Sequence, residues 1–227
     1  MQTYRKWISS FLIFAFLFSF SPKALALSDD PIDRMTFFGD STTAHLALRG
    51  GIPQERVWSG AGSTVLFETV NAVKCVRLQR EKRDLTLPEA LALKKPRILV
   101  ITVGVSGGAG RLSEESFKEI YRELLRSAQK ASPETKILVQ SLLPLSDKSV
   151  KHYKRLTKEA VVQANGWVRE LCGEMQIPYV DTHSLLIDPD TGYLKPEYQN
   201  DEYMHLTAAA YAVILENLRT HAKKLGY

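Results

Sequence analysis

The chain predicts an α/β fold, a flavodoxin-like, doubly wound parallel sheet of about five strands held in three layers between helices. Two observations predict it. Short β-like runs alternate with longer stretches of helical periodicity about five times in roughly 200 residues. Three of the short runs are near-continuous hydrophobics, the pattern of strands buried on both faces.

Residues 1–26 read as a secretory leader that is removed, leaving 27–227 as one domain. Arg5 and Lys6 make a basic start, Ile8 to Phe20 is apolar, and Ala24-Leu25-Ala26 places small residues at the recognition positions for cleavage after Ala26. The apolar run is short of the ~20 residues a membrane span needs, so an uncleaved anchor is the weaker reading, and no stable span is expected after cleavage. Of the 30 Lys and Arg residues, Arg5, Lys6 and Lys23 lie in the leader, which holds no Asp or Glu. The mature chain then carries 27 basic against 25 acidic residues, a net charge of +2. That balance is too small and too evenly spread for a nucleic-acid binder.

After the polar lead-in Ser28-Asp29-Asp30-Pro31, strands are predicted at Met35–Phe38, Arg56–Trp58, Ile98–Val103, Ile137–Leu142 and Tyr179–Asp181. Phe117, Ile120, Tyr121, Leu124, Leu125 and Ala128 recur at helical spacing behind the cap candidate Ser113. Leu156 to Leu171 repeats the pattern before Gly173, and Thr207 is the cap candidate of a last helix through Ala210, Val213, Ile214 and Leu218. Phe67 to Arg83 fits a helix or a hairpin equally. Cys75 and Cys172 fit a disulfide or two separate buried thiols, because an exported chain meets an oxidising space but their spacing demands nothing.

In a doubly wound sheet ligands bind at the carboxyl ends of the strands. Phe37-Phe38-Gly39-Asp40-Ser41 stands at such an end, a turn glycine followed by a hydroxyl. A serine is a weak nucleophile until a base takes its proton and donors hold the oxyanion. Five histidines compete for the base. His45, one helical turn after Ser41, His152 in the Lys-rich run Lys148 to Arg155, and His221 near the C-terminus read as surface, whereas His183 follows the fifth strand and is a competitor. His205 has two carboxylates before it in Asp201-Glu202-Tyr203-Met204-His205, so an acid is at hand to orient its ring.

These residues resemble the GDSL, or SGNH, hydrolase family: Gly39-Asp40-Ser41 matches its first block and the acidic stretch ending in His205-Leu206 its last, over about residues 34 to 220. The resemblance implies an SGNH-hydrolase-like fold and an esterase with Ser41 as nucleophile and His205 as general base. It also implies an oxyanion hole from the N–H groups of Ser41 and Gly62, the latter in Gly62-Ser63-Thr64, with Gly60 as the fallback. Two positions depart from the family. Ser106 in Gly104-Val105-Ser106-Gly107 stands where the family has an asparagine donor, and losing a preorganised donor costs about 3 kcal/mol. The family's acid lies three residues before the histidine, which is Glu202 here, while Asp201 lies four before; either carboxylate is a candidate.

Gly104-Val105-Ser106-Gly107-Gly108 also fits the nucleophile elbow of α/β-hydrolases with Ser106 as nucleophile, although the glycines that follow are poor helix formers. A third reading is an exported binding module on the same fold. The hydrolase reading expects a monomer acting on a small-molecule, polysaccharide or lipid ester, with neither metal nor organic cofactor, and a rate that falls as His205 takes up a proton. Tyr193, Tyr198 and Tyr203 and the loop Asp188 to Asn200 are where specificity is expected.

Overall fold

The computed structural model describes residues 29–60, 64–78 and 81–227, so the proposed leader lies outside the described residues. Among the described residues seven strands form: β1 (Met35–Gly39), β2 (Val57–Trp58), β3 (Val76–Leu78), β4 (Arg83–Leu85), β5 (Ile98–Thr102), β6 (Lys136–Gln140) and β7 (Tyr179–Val180). Five of them make one parallel sheet in the order β2-β1-β5-β6-β7. The order reverses at β1 and β5, so their carboxyl ends frame the crevice where such sheets bind ligands.

Among the described residues six α-helices accompany the strands: α1 (Ser41–Arg49), α2 (Leu87–Lys94), α3 (Glu114–Ala131), α4 (Lys158–Glu174), α5 (His183–Leu186) and α6 (Ala208–Lys224). Strand alternation sorts them into two layers. Leu99 and Ile101 of β5 face a core with Leu91 of α2, Phe117 and Tyr121 of α3 and Val168 of α4. Ile98 and Val100 face the other, with Leu46 of α1, Leu186 of α5 and Tyr211 and Ile214 of α6.

Local chemistry starts the helices where the sequence indicates. Ser113 accepts from the Ser116 N–H at 3.3 Å and Thr207 from the Ala210 N–H at 3.4 Å, each satisfying a donor with no intrahelical partner. α2, which hydrophobic periodicity alone does not mark, begins with a reciprocal Thr86 and Glu89 capping box.

The ambiguous segment resolves into a short 3-10 turn, Phe67–Thr69, and an antiparallel pair, Val76 opposite Leu85 and Leu78 opposite Arg83. With only three residues to a strand and charges interleaved, its alternation is too brief to read. Three predicted strands end earlier than expected, at Thr102, Gln140 and Val180. Side chains satisfy the backbone there: the Asn165 amide brackets Leu142, accepting from its N–H at 2.7 Å and donating to its carbonyl at 3.1 Å. The Ser141 hydroxyl accepts from the N–H groups of Thr182 and His183. Cys75 and Cys172 are separate buried thiols, not a disulfide. Burial pushes their pKa values up to about 11 and about 12, which keeps both unreactive.

Candidate active site

β1 runs into α1 with a single residue between them. At Gly39 a Cβ would lie 2.4 Å from the Thr102 carbonyl oxygen and 2.1 Å from Thr43 Oγ1, so only glycine lets the strand end this close to β5 and to the first turn of α1. Asp40 caps the helix, its Oδ1 accepting from the N–H and the hydroxyl of Thr42 at 3.2 and 2.9 Å. Its carboxylate is buried, and burial raises its pKa against the opposing hydrogen bonds from Thr42 and Ser106. Ser41 is thereby the first residue of α1, half-buried at the helix end where backbone N–H groups point outward.

His205 arrives on the loop before α6. Gln199 bridges Leu206, and the Asn200 N–H donates to the His205 carbonyl at 2.9 Å, closing residues 200–205 into a tight loop. His205 Nε2 lies 3.0 Å from Ser41 Oγ, across 164 positions of sequence. Its Nδ1 is hydrogen-bonded to Asp201 Oδ2, while Asp201 Oδ1 accepts from the N–H groups of Tyr203 at 2.8 Å and His205 at 3.3 Å. Burial tends to raise the Asp201 pKa; those hydrogen bonds and the adjacent imidazole outweigh it and leave the carboxyl below its usual range.

Glu202, weighed equally with Asp201 from sequence, does not face the imidazole. It points outward, with Oε1 3.9 Å from Lys148 Nζ and Oε2 3.7 Å from His152 Nε2. The loop anchors one oxygen of the shorter Asp201 side chain on backbone donors, and this aims the other at the ring.

Ser106 lies in the turn after β5, and its hydroxyl donates to Asp40 Oδ2 at 3.4 Å. This geometry does not favour the elbow reading: the imidazole of His205 meets Ser41, and α3 begins only at Glu114 rather than directly after Ser106. A hydroxyl turned to Asp40 has its one proton engaged there, away from an oxyanion. Gly62 lies outside the described residues; Gly60 is described and follows β2.

His45 is not the surface group expected. Its ring packs against that of His205, centroids 4.4 Å apart and planes tilted by 51°. Its Nδ1 is buried without a hydrogen-bond partner, and burial, helped by the neighbouring His205 and Arg49, lowers its pKa. Spacing held the clue, since residues four apart share one helix face, but only the docking of the last loop puts His205 on that face. His183 is buried, with its N–H on the Ser141 hydroxyl, and no hydrogen bond connects it to Ser41. His152 stacks on Tyr203 at 4.1 Å, and His221 Nδ1 pairs with the Asn217 carbonyl within α6.

A sequence profile of the GDSL-like lipase/acylhydrolase family matches residues 37–213. A comparison with curated proteins finds no significant match. Solved structures share the fold at low identity. A GDSL-like lipase from Bacteroides thetaiotaomicron aligns with TM-score 0.56 and 14% identity over 89% of this chain and 93% of its own. A carbohydrate acetylesterase from Sinorhizobium meliloti aligns with TM-score 0.53 and 14% identity over 84% and 98%. The aryl esterase of M. smegmatis gives TM-score 0.54 and 15% identity over 84% and 98%.

Proposed function

The chain belongs to the GDSL-like lipase/acylhydrolase family, and from that premise we propose that it is an exported esterase that hydrolyses an O-acyl ester through an acyl-Ser41 intermediate. The observation that carries this reading is the hydrogen-bonded series Ser41 Oγ, His205 Nε2, His205 Nδ1, Asp201 Oδ2.

His205 Nε2 takes the proton of Ser41 as Oγ attacks the ester carbonyl carbon. Asp201 keeps the ring in the tautomer with its proton on Nδ1 and stabilises the imidazolium that forms. The carbonyl oxygen, now an oxyanion, accepts from the N–H of Ser41 at the start of α1 and from that of Gly62, assigned by its place in the family pattern. Ser106 contributes only after its hydroxyl rotates away from Asp40. Collapse breaks the bond to the alcohol oxygen, which leaves with the proton on Nε2. Water then gives a proton to His205 and its oxygen to the acyl carbon, releasing the acid and restoring Ser41. Side chains and backbone supply every step, without metal or organic cofactor.

An acyl carbohydrate is the substrate class to test first, since the fold is shared with a carbohydrate acetylesterase. Export rests on the leader at residues 1–26 and is checked by sequencing the N-terminus of the secreted protein, expected to begin at Leu27.

The deciding experiment is hydrolysis of p-nitrophenyl acetate, with trapping of acylated protein. Turnover and an acyl group on Ser41 are expected, both lost in Ser41→Ala. An inactive wild type would instead favour a binding module, and loss in Ser106→Ala alone would restore the elbow.

A further inference from the structure

A second feature adjoins the nucleophile, and hydrolysis of a simple ester makes no use of it. The loop after β5 and the segment before α4 approach each other as two walls. Gly110 sets their spacing: its φ is +72°, and a Cβ there would lie 2.0 Å from the Arg155 carbonyl oxygen, so any side chain would push the walls apart. Between them lies a cleft of about 380 Å3. Arg111 stands on one wall and His152, Tyr153, Lys154 and Arg155 on the other. The cleft meets the catalytic residues at Ser106, which is bonded to Asp40, and at Met204, the neighbour of His205.

The charge of this cleft is one-sided. Among the described residues no Asp or Glu lines it. Arg111 is 3.6 Å from Glu68 at an exposed edge, and among the described residues Lys154 and Arg155 form no ion pair. Lys148 and Lys151 extend the basic run, with Asp147, the Glu202 that sits between Lys148 and His152, and the catalytic-side Asp40 and Asp201, within electrostatic reach of Tyr153, as the acids beside it. Arg111, Lys154 and Arg155 are exposed, so their like charges act on an entering anion through the open, solvent-filled cleft and are screened by salt. The mature chain is nearly neutral in sum, so this is a local concentration and not a property of the whole surface. Aromatic rings stand at the same rim: His152 stacks on the exposed Tyr203, and Tyr153 meets Tyr203 edge-on at 6.1 Å. Such faces pack against sugar rings, while the arginines suit carboxylate or phosphate oxygens.

We infer that the alcohol released from acyl-Ser41 formation is an anionic glycan, a sugar chain bearing carboxylate or phosphate groups that are held by Arg111, Lys154 and Arg155 while its rings rest on His152 and Tyr203. The inference rests on the esterase reading and specifies its substrate. The reaction balances as ordinary hydrolysis: the acyl C–O bond breaks, the sugar oxygen leaves with a proton, and water supplies the hydroxyl of the acid. A phospholipid is disfavoured because the apolar part of the cleft is confined to a few side chains, Val105, Ala109, Leu156 and Met204.

The test compares kcat/KM on O-acetylated neutral xylan oligomers, O-acetylated polygalacturonate, acetylated glucose 6-phosphate and phosphatidylglycerol vesicles, with p-nitrophenyl acetate as the uncharged control. One or both anionic sugars are expected to exceed the neutral oligomer by roughly tenfold or more at low salt, a typical gain from electrostatic steering. The two arms tell carboxylate from phosphate. The preference is expected to shrink between about 10 mM and about 300 mM salt as the Debye length falls from ~30 Å to under ~10 Å. It is expected to collapse in Lys154→Gln/Arg155→Gln and to persist in Lys223→Gln, remote on α6. Should the double variant not fold, Arg111→Gln on the opposite wall serves. Equal rates on neutral and anionic sugars, or a preference that survives both variants, overturns the inference. So does activity confined to the vesicles, which points to lipid. No turnover of p-nitrophenyl acetate by the wild type is the separate failure of the esterase reading.

Discussion

The hydroxyl of Tyr211 donates to the carbonyl oxygen of Thr42 at 2.7 Å. Tyr211 belongs to α6, which begins just after His205, and Thr42 to α1, which begins with Ser41. One buried hydrogen bond thus ties α1, which begins at Ser41, to α6, which follows the loop that carries His205.

Removing that hydroxyl in Tyr211→Phe leaves the Thr42 carbonyl without this donor and is expected to cost about 1 kcal/mol of stability. In a domain of this size that lowers Tm by roughly 2–4 °C. A several-fold loss of kcat on p-nitrophenyl acetate should accompany it, because helix docking sets the distance between Ser41 and His205. Unchanged kcat with lowered Tm would reduce the bond to a purely structural one.

Asp201 and Glu202 separate by their partners. Asp201→Asn is expected to reduce kcat by about 10³–10⁴-fold, since the amide presents the wrong hydrogen-bonding pattern to Nδ1. Glu202→Gln should stay within a few-fold of wild type on the same neutral ester. Steady-state kinetics of the two variants decides, and the reverse ranking would show that the loop rearranges when substrate binds.

The ring of His45 packs against that of His205. His45→Ala is expected to lower kcat roughly tenfold by letting the His205 ring swing, whereas His45→Phe keeps a flat ring in place and should recover most of the rate. Equal losses in both variants would mean that a nitrogen of His45, not its packing, matters.

Ser106→Ala tests the altered oxyanion position. With its proton directed to Asp40, the loss should fall well short of the 10²–10³-fold typical of a preorganised donor. A loss of that full size would show that the hydroxyl turns to the oxyanion in the transition state.

Acid lability has a named source in His183. Burial, partly opposed by Asp181, lowers its pKa below the ordinary 6.5. As pH falls past that value the unfolded chain takes up the proton first, so stability is fully present above about pH 6.5 and declines below it until the folded imidazole protonates. Tm measured from pH 7.5 downward should drop less steeply in His183→Gln than in wild type; parallel curves would assign the lability elsewhere.

The sequence by itself determined the five strands and the Ser41 and His205 candidates, because strand patterning, helix caps and a hydroxyl at a strand end are local patterns, and its Gly39-Asp40-Ser41 and His205-Leu206 blocks carried the resemblance to the family. Even the open choice at Phe67 to Arg83 was local, lost only because three-residue strands carry too little alternation. What the tertiary structure alone decided depends on how distant loops dock. Two adjacent carboxylates are equivalent on paper until the loop at 200–205 closes and turns Asp201 inward and Glu202 out. His45 reads as surface until His205 is laid over it, and the basic run at 148–155 reads as a solvated stretch until Gly110 brings a second wall against Arg155. Periodicity reports which face of an element is apolar; it carries no information about which polar groups meet across the carboxyl edge of the sheet.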